Sequence, residues 1–221
     1  MEVSVENPFV LRPYEGVEFF CDREKETREI IDDLKNGVNV TLISPRRYGK
    51  TGLIYRVFDE LTQTNSSFTL CYCDIYSADG LDSFVKLLSE SILVNLKTKP
   101  ALKKFFSFFS GIRPLVSYDP ISGSPQVSII YQNEGQKLST LKSIFDFLGS
   151  QKKKFVVAFD EFQIIRTFKG VNMEALLRTY IQPLKNVRFV FCRSQKHIMT
   201  DMFVNERSPF YESTHIKKKK K

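Results

Sequence analysis

Apolar positions change period along the chain, and each change marks a passage between strand and helix. Ile30, Ile31 and Leu34 share one side of a helix that Asp22 can cap and Asn36-Gly37 stop. Val38 to Ser44 reads as a short buried strand and Pro45 to Gly49 as a loop. From Lys50 a helix turns Leu53, Ile54, Val57, Phe58 and Leu61 inward at helical spacing. Ser67 to Ile75 predicts a second strand and Leu81 to Leu96 an amphipathic helix. Two alternating runs between Leu115 and Tyr131 flank Asp119 to Pro125, predicting an inserted β-hairpin within residues 111–135. Leu138 to Leu148 is helical, Phe155 to Phe159 an unbroken apolar strand, Met173 to Ile181 helical, Val187 to Cys192 a strand, and a helix follows from Gln195. Strands that are apolar throughout and alternate with helices predict a mostly parallel sheet covered on both faces, a three-layer α/β fold.

With 221 residues, 42% of them apolar, the chain can bury one substantial core, so residues 1–216 are expected to form one domain, with 1–37 as lead-in and first helix. Of the formal charge of +8, Lys217 to Lys221 supply five, which leaves +3 on the rest and removes most of the hint of nucleic acid. Cys21, Cys71, Cys73 and Cys192 show neither the paired spacing of a zinc site nor the density of a disulfide scaffold, and are expected in the core as reduced thiols. Phe105, Phe106, Phe108 and Phe109 have no alternating basic residues and read as core rather than a stacking platform for bases. No apolar run is long enough to cross a bilayer and the N-terminus has no signal-peptide pattern, so a cytoplasmic protein without a membrane partner is expected.

The segment S-P-R-R-Y-G-K-T, Ser44 to Thr51, matches G-x-x-x-x-G-K-[ST] with Ser at the first glycine. A loop between a buried strand and a helix aims successive backbone N–H groups at phosphate oxygens. Ser44, Pro45, Arg46, Arg47, Tyr48, Gly49, Lys50, Thr51 and Gly52 are therefore the expected nucleotide-binding residues. Gly49 permits the turn, Lys50 supplies charge for the β- and γ-phosphates, and the Thr51 hydroxyl can ligate Mg²⁺. Arg46 and Arg47 stay outside the catalytic set. The acids that end the apolar strand Phe155 to Phe159, Asp160 and Glu161, can hold Mg²⁺ and polarise an attacking water; alternatively they cap the element that follows. After the last strand, Ser194 or Gln195 could sense the γ-phosphate, while Ser194 fits a helix N-cap equally well.

Together with N-P-F at Asn7 to Phe9, F-x-x-R-E-x-E at Phe20 to Glu26, F-D-E-F-Q at Phe159 to Gln163, S-Q-K-H-I-M at Ser194 to Met199 and S-P-F-Y at Ser208 to Tyr211, these residues resemble the archaeal-type AAA-like ATPases, related to the STAND signalling NTPases. The resemblance covers almost the whole chain. It implies an AAA+/ASCE-like P-loop NTPase with strand order 5-1-4-3-2, ATP and Mg²⁺ as ligands, Asp160 at the metal and Glu161 as base. Arg193 stands where such proteins often have Gly. The chain reaches five lysines soon after Thr214-His215-Ile216, so the resemblance implies a truncated member with an incomplete fifth strand and a solvated, disordered tail at 217–221. Family members carry a lid and effector beyond this point, through which a protein partner or further copies would bind. Arg207 is a candidate arginine finger. A nucleotide-dependent switch without hydrolysis and a DNA-associated ATPase are the alternatives.

Overall fold

The computed structural model describes residues 14, 16–17, 20, 22–45, 48–64, 68–96, 98–109, 114–193 and 201–218, the last by its backbone alone. Five strands form a parallel sheet: β1 (Val40–Ile43), β2 (Phe68–Asp74), β5 (Lys154–Asp160), β6 (Val187–Arg193) and β7 (His215–Lys218). Their spatial order is β2-β5-β6-β1-β7. Counted among these five strands alone, from the β7 edge, that order is 5-1-4-3-2. The remaining two strands, β3 (Leu115–Tyr118) and β4 (Pro125–Ser128), pair antiparallel as the expected hairpin. Its turn is held by Asp119, whose Oδ1 accepts from the Ile121 and Ser122 backbone amides. Val127 is buried, and its amide donates to Glu90 Oε1 at 2.7 Å, which docks the hairpin on the neighbouring helix.

Helices cover both faces of the sheet. On one side α1 (Glu24–Lys35) and α2 (Lys50–Thr64) bury Ile30, Leu34, Leu53, Ile54 and Leu61 against Leu42, Val156, Ala158 and Val190. On the other lie α3 (Leu81–Leu93), α5 (Glu134–Gly149) and α6 (Met173–Ile181), over Phe155, Phe159, Phe189 and Phe191. Cys71 and Cys73 face this second layer from β2, while Cys192 faces the first, and all three are buried free thiols. Burial alone pushes the Cys71 thiol up to about 12, so it acts as a small apolar side chain rather than a nucleophile.

At four points the structure bears on local details of the pattern, and at two of them, α4 and the start of α1, it differs. Residues 99–107 form a helix, α4 (Lys99–Ser107), started by Thr98, whose hydroxyl accepts from the Ala101 amide, with Pro100 in the first turn. It packs Phe105 edge-on against Phe147 at 4.9 Å, which puts the phenylalanine-rich segment in the core. Asp22 does not cap α1. Arg23 occupies that position, both residues have left-handed φ (62° and 68°), and the Arg23 side chain makes no cap bond. Gly37, at φ 89°, does end α1, and Arg188 Nη2 lies 2.8 Å from where a Cβ would stand. The start expected at Gln195 lies outside the described residues; residues 201–204 are helical.

The largest departure concerns the C-terminal lysines. Lys217 and Lys218 belong to β7, which runs beside β1 in full register from Val40↔His215 to Ile43↔Lys218. The expected incomplete strand and the disordered tail at 217–218 are thus corrected; residues 219–221 lie outside the described residues. The reason is a row of acids on α1. Lys217 Nζ sits 3.3 Å from Glu29 Oε2 and 3.1 Å from Asp33 Oδ2, and His215 Nδ1 lies 2.9 Å from Asp33 Oδ1. Charges that would repel one another in an isolated tail find partners once the helix is docked.

Candidate functional site

At the C-terminal end of β1 the chain leaves the sheet at Ser44, whose buried backbone N–H donates to the Arg193 carbonyl at 3.3 Å. Pro45 follows, Arg46 and Arg47 lie outside the described residues, and Tyr48 is exposed. Gly49 takes φ 65°, a conformation that favours glycine and turns the chain directly into α2. Its carbonyl accepts the first helical bond, from Leu53, so the residue sequence reasoning chose for a sharp turn makes one. Lys50 is buried as the first residue of α2, and Gly52 is buried in the same turn. The first helical amides have no intrahelical partner, which makes this end of α2 suited to anionic oxygen.

A second polypeptide segment closes the site. Asp160, the last residue of β5, is almost buried at 7% exposure. Its Oδ2 accepts hydrogen bonds from Thr51 Oγ1 at 3.3 Å and Tyr72 Oη at 2.7 Å, and its Oδ1 from the Glu161 amide at 2.9 Å. Hydroxyl and carboxylate from two segments 109 residues apart therefore meet. Hard oxygen donors of this kind, few in number, suit Mg²⁺, which keeps several waters and takes one or two protein oxygens. Burial and the Asp160 charge push the Tyr72 phenol up, so it remains a protonated donor.

Glu161 leaves the strand with left-handed φ 54°, directly before the 3₁₀ turn Phe162–Thr167, and makes no side-chain cap. The capping alternative for Glu161 therefore fails. Instead Gln163 Nε2 donates to Glu161 Oε2 at 2.6 Å. Arg193, fully buried at the end of β6, is held down to about 10 by burial, an effect that the Glu161 charge opposes and Arg166 reinforces. Across the β2–β5 pair Asp74 stands in register with Asp160. Burial raises the Asp74 carboxyl, the Tyr76 amide lowers it, and the Asp160 and Glu161 charges raise it further. Ser194 and Gln195 lie outside the described residues, so the structure does not place the proposed sensor.

Beside Lys50 a cleft of about 380 Å³ opens between α1, the end of β1 and β7, lined among others by Arg23, Glu26, Leu42, Ser44 and Lys217. Arg23 reaches from α1 into the loop, where Nη1 donates to the Gly49 carbonyl at 3.2 Å and Nε lies 3.0 Å from Glu26 Oε2. The residue at the N-cap of α1 is thus turned towards the loop, and its guanidinium, which has no acceptor, could not cap the helix in any orientation. Two contributors escaped sequence reasoning. Arg23 lay inside the F-x-x-R-E-x-E run, but only the docking of α1 beside the loop gives it a contact. Tyr72 had one available signal, a polar group two residues before Asp74 on the same face of β2. Arg207, whose amide donates to Asn205 Oδ1, is exposed.

No protein-family model matches the chain, and no curated protein matches it. Solved structures do. A Walker-type ATPase of Pyrococcus abyssi is similar over 96% of this chain and 57% of its own, at 20% identity and a TM-score of 0.61. ORC2 of Aeropyrum pernix, solved in ADPNP–ADP complexes, is similar over 90% of this chain and 48% of its own, at 16% identity and TM-score 0.54. ORC1 of the same organism, solved in complex with DNA, gives 88% and 44%, with 14% identity and TM-score 0.53. The chain thus spans about half the length of these proteins. Identities this low show the fold alone, a three-layer α/β architecture with a parallel sheet that this chain shares with these structures.

Proposed function

We propose that the chain binds ATP and is the Mg²⁺-dependent ATPase core of an AAA/STAND-like regulatory protein, converting ATP and water to ADP and phosphate. One observation carries this reading: Thr51, in the first turn of the helix after the glycine loop, meets Asp160 at the end of a buried strand. A surface turn before an amphipathic helix would need no such partner. In this proposal the loop amides and Lys50 bind the phosphates, Thr51 and Asp160 hold the metal, and Glu161 removes a proton from water placed in line with the γ-phosphate. Bound Mg²⁺ would supply charge neutralisation across the β- and γ-phosphates.

Titration calorimetry with millimolar Mg-ATP tests the proposal. Heat from the wild-type chain, lost in Lys50→Ala at an unchanged melting temperature, is the expected result. A folded wild-type chain that gives no heat overturns it.

A second reading has its own observation. The bond from Gln163 to Glu161 engages the base, which suits a nucleotide-dependent switch that binds without turnover. Single-turnover hydrolysis separates the two. Association with DNA or with further copies of the chain draws on the fold shared with an ORC protein in complex with DNA, and predicts oligonucleotide binding that weakens steeply with salt.

A further inference from the structure

We propose that Tyr72 is a positioning residue for the metal carboxylate: its hydroxyl fixes the orientation of Asp160 before any cation arrives. The inference rests on the nucleotide reading above and deepens it, by naming what sets the metal requirement of the site.

An ionised carboxylate offers about four acceptor positions. On Asp160 the Glu161 amide takes one at Oδ1, and Thr51 and Tyr72 converge on Oδ2. About one is left for water bound to a divalent cation. The three donors come from the residue that follows β5, from α2 and from β2, so the carboxylate plane is fixed from three directions. Of the two hydroxyls on Oδ2, Tyr72 makes the shorter bond, 2.7 Å against 3.3 Å. Thr51 is also the hydroxyl expected to ligate the metal, which leaves Tyr72 as the donor with no other duty.

The phenol is braced by the helix that carries Thr51. Thr51, Tyr55 and Asp59 recur every four residues on α2 and so share one stripe. Tyr55 packs on Tyr72 with ring centroids 5.2 Å apart. Tyr14 stacks on Tyr55 at 6.3 Å and donates its hydroxyl to Asp59 Oδ2 at 2.6 Å. A ladder of three tyrosines therefore runs down α2 and ends on the carboxylate. Neither β5 nor the loop alone could hold that geometry, because Tyr72 comes from the edge strand β2 and pairs with Ala158, diagonal to Asp160.

The test is the Mg²⁺ dependence of binding, without turnover. Affinity for a fluorescent ATP analogue is measured in EDTA and across a Mg²⁺ titration for wild type, Tyr72→Phe and Tyr55→Ala. The Phe variant keeps the ring and its packing on Tyr55. Its affinity in EDTA should match wild type while its Mg²⁺ midpoint rises about 10–100-fold, the usual effect of losing a group that orients a metal ligand. Tyr55→Ala keeps the hydroxyl but removes its brace, and should move the midpoint the same way by less. It also carries the test if Tyr72→Phe fails to fold. In an Asp160→Asn background, Tyr72→Phe should add nothing further. An unmoved or lowered midpoint, or an equal loss in EDTA, overturns the positioning role alone. A wild-type chain that binds no nucleotide in either condition overturns the nucleotide reading as well.

Discussion

Phe159 and Asp160 are neighbours on β5 and face opposite layers of the sheet, and what surrounds each differs in kind. Around Phe159 the chain has placed rings: Phe84 at 5.7 Å, Phe162 at 5.8 Å, Phe189 at 6.2 Å and Phe191 at 6.3 Å, with Phe203 and Phe210 behind. The opposite layer under α1 and α2 is mostly aliphatic, with Phe58 and Phe68 as its buried phenylalanines, and at the end of the strands it gives way to Thr51, Tyr72 and Asp160. A stack of phenylalanines has no polar atom to satisfy, so it can fill the space under three helices with area and ring-on-ring contact alone, mostly stacked or tilted. A buried carboxylate requires donors at fixed distances, and those come from three separate segments. One layer supplies rigidity, and the other uses it to hold a few polar atoms still.

That contrast can be broken experimentally, because each layer should fail in its own way. Glu161→Gln, on the polar rim, should lower single-turnover hydrolysis about 10²–10⁴-fold while nucleotide affinity and melting temperature stay put. Unchanged turnover would remove Glu161 from its role as base. Phe191→Ala, in the ring stack, should cost about 3–5 kcal/mol in denaturant unfolding and leave the affinity of the folded fraction within a few-fold. A loss of affinity without a loss of stability there would show that the two layers are not separable. At the β7 edge, Lys217→Ala removes an ion pair with Glu29 and Asp33 that is partly open to solvent. The cost should be at most about 1 kcal/mol and should shrink in high salt, as unfolding curves at two ionic strengths would show.

The smallest effect belongs to Asp74. Its carboxyl is raised above the usual value of 3.8, so ionising it costs the folded state something the unfolded chain does not spend. The corresponding stability is fully present below the unfolded value and is lost as pH rises through the folded one. Asp74→Asn should therefore stabilise the metal-free protein at neutral pH by less than about 1 kcal/mol, since solvent screens this exposed strand end. The stability profile just above pH 4 should flatten in that variant, and an unaltered slope would remove Asp74 as its source.

Much of this protein was legible from its residues because the relevant physics is local. Val38 to Ser44 and Phe155 to Phe159 are apolar runs of strand length, Gly49 marks a turn that favours glycine, and Asn36-Gly37 ends a helix by a conformation that glycine adopts freely. Lys50, Thr51 and Asp160 could be chosen because strand, loop and helix place the first two at a helix start and the third at a strand end. α4 was legible but missed: Leu102, Phe105 and Phe106, with Phe109 just past its end, keep helical spacing, while the run of phenylalanines reads first as core.

What lay beyond the sequence depends on pairs far apart in the chain. The Tyr72 hydroxyl becomes a donor to Asp160 only when β2 pairs with β5, 88 residues away. Arg23 reaches Gly49 only when α1 docks beside the loop. Lys217 and Lys218 look like solvated charge until β1 offers an edge and α1 offers Glu29 and Asp33. Periodicity and turn chemistry decided which segments are strands, loops and helices; the sheet order and the docking of α1 decided which polar atoms meet, since hydrogen bonds and ion pairs depend on distances that no local pattern encodes.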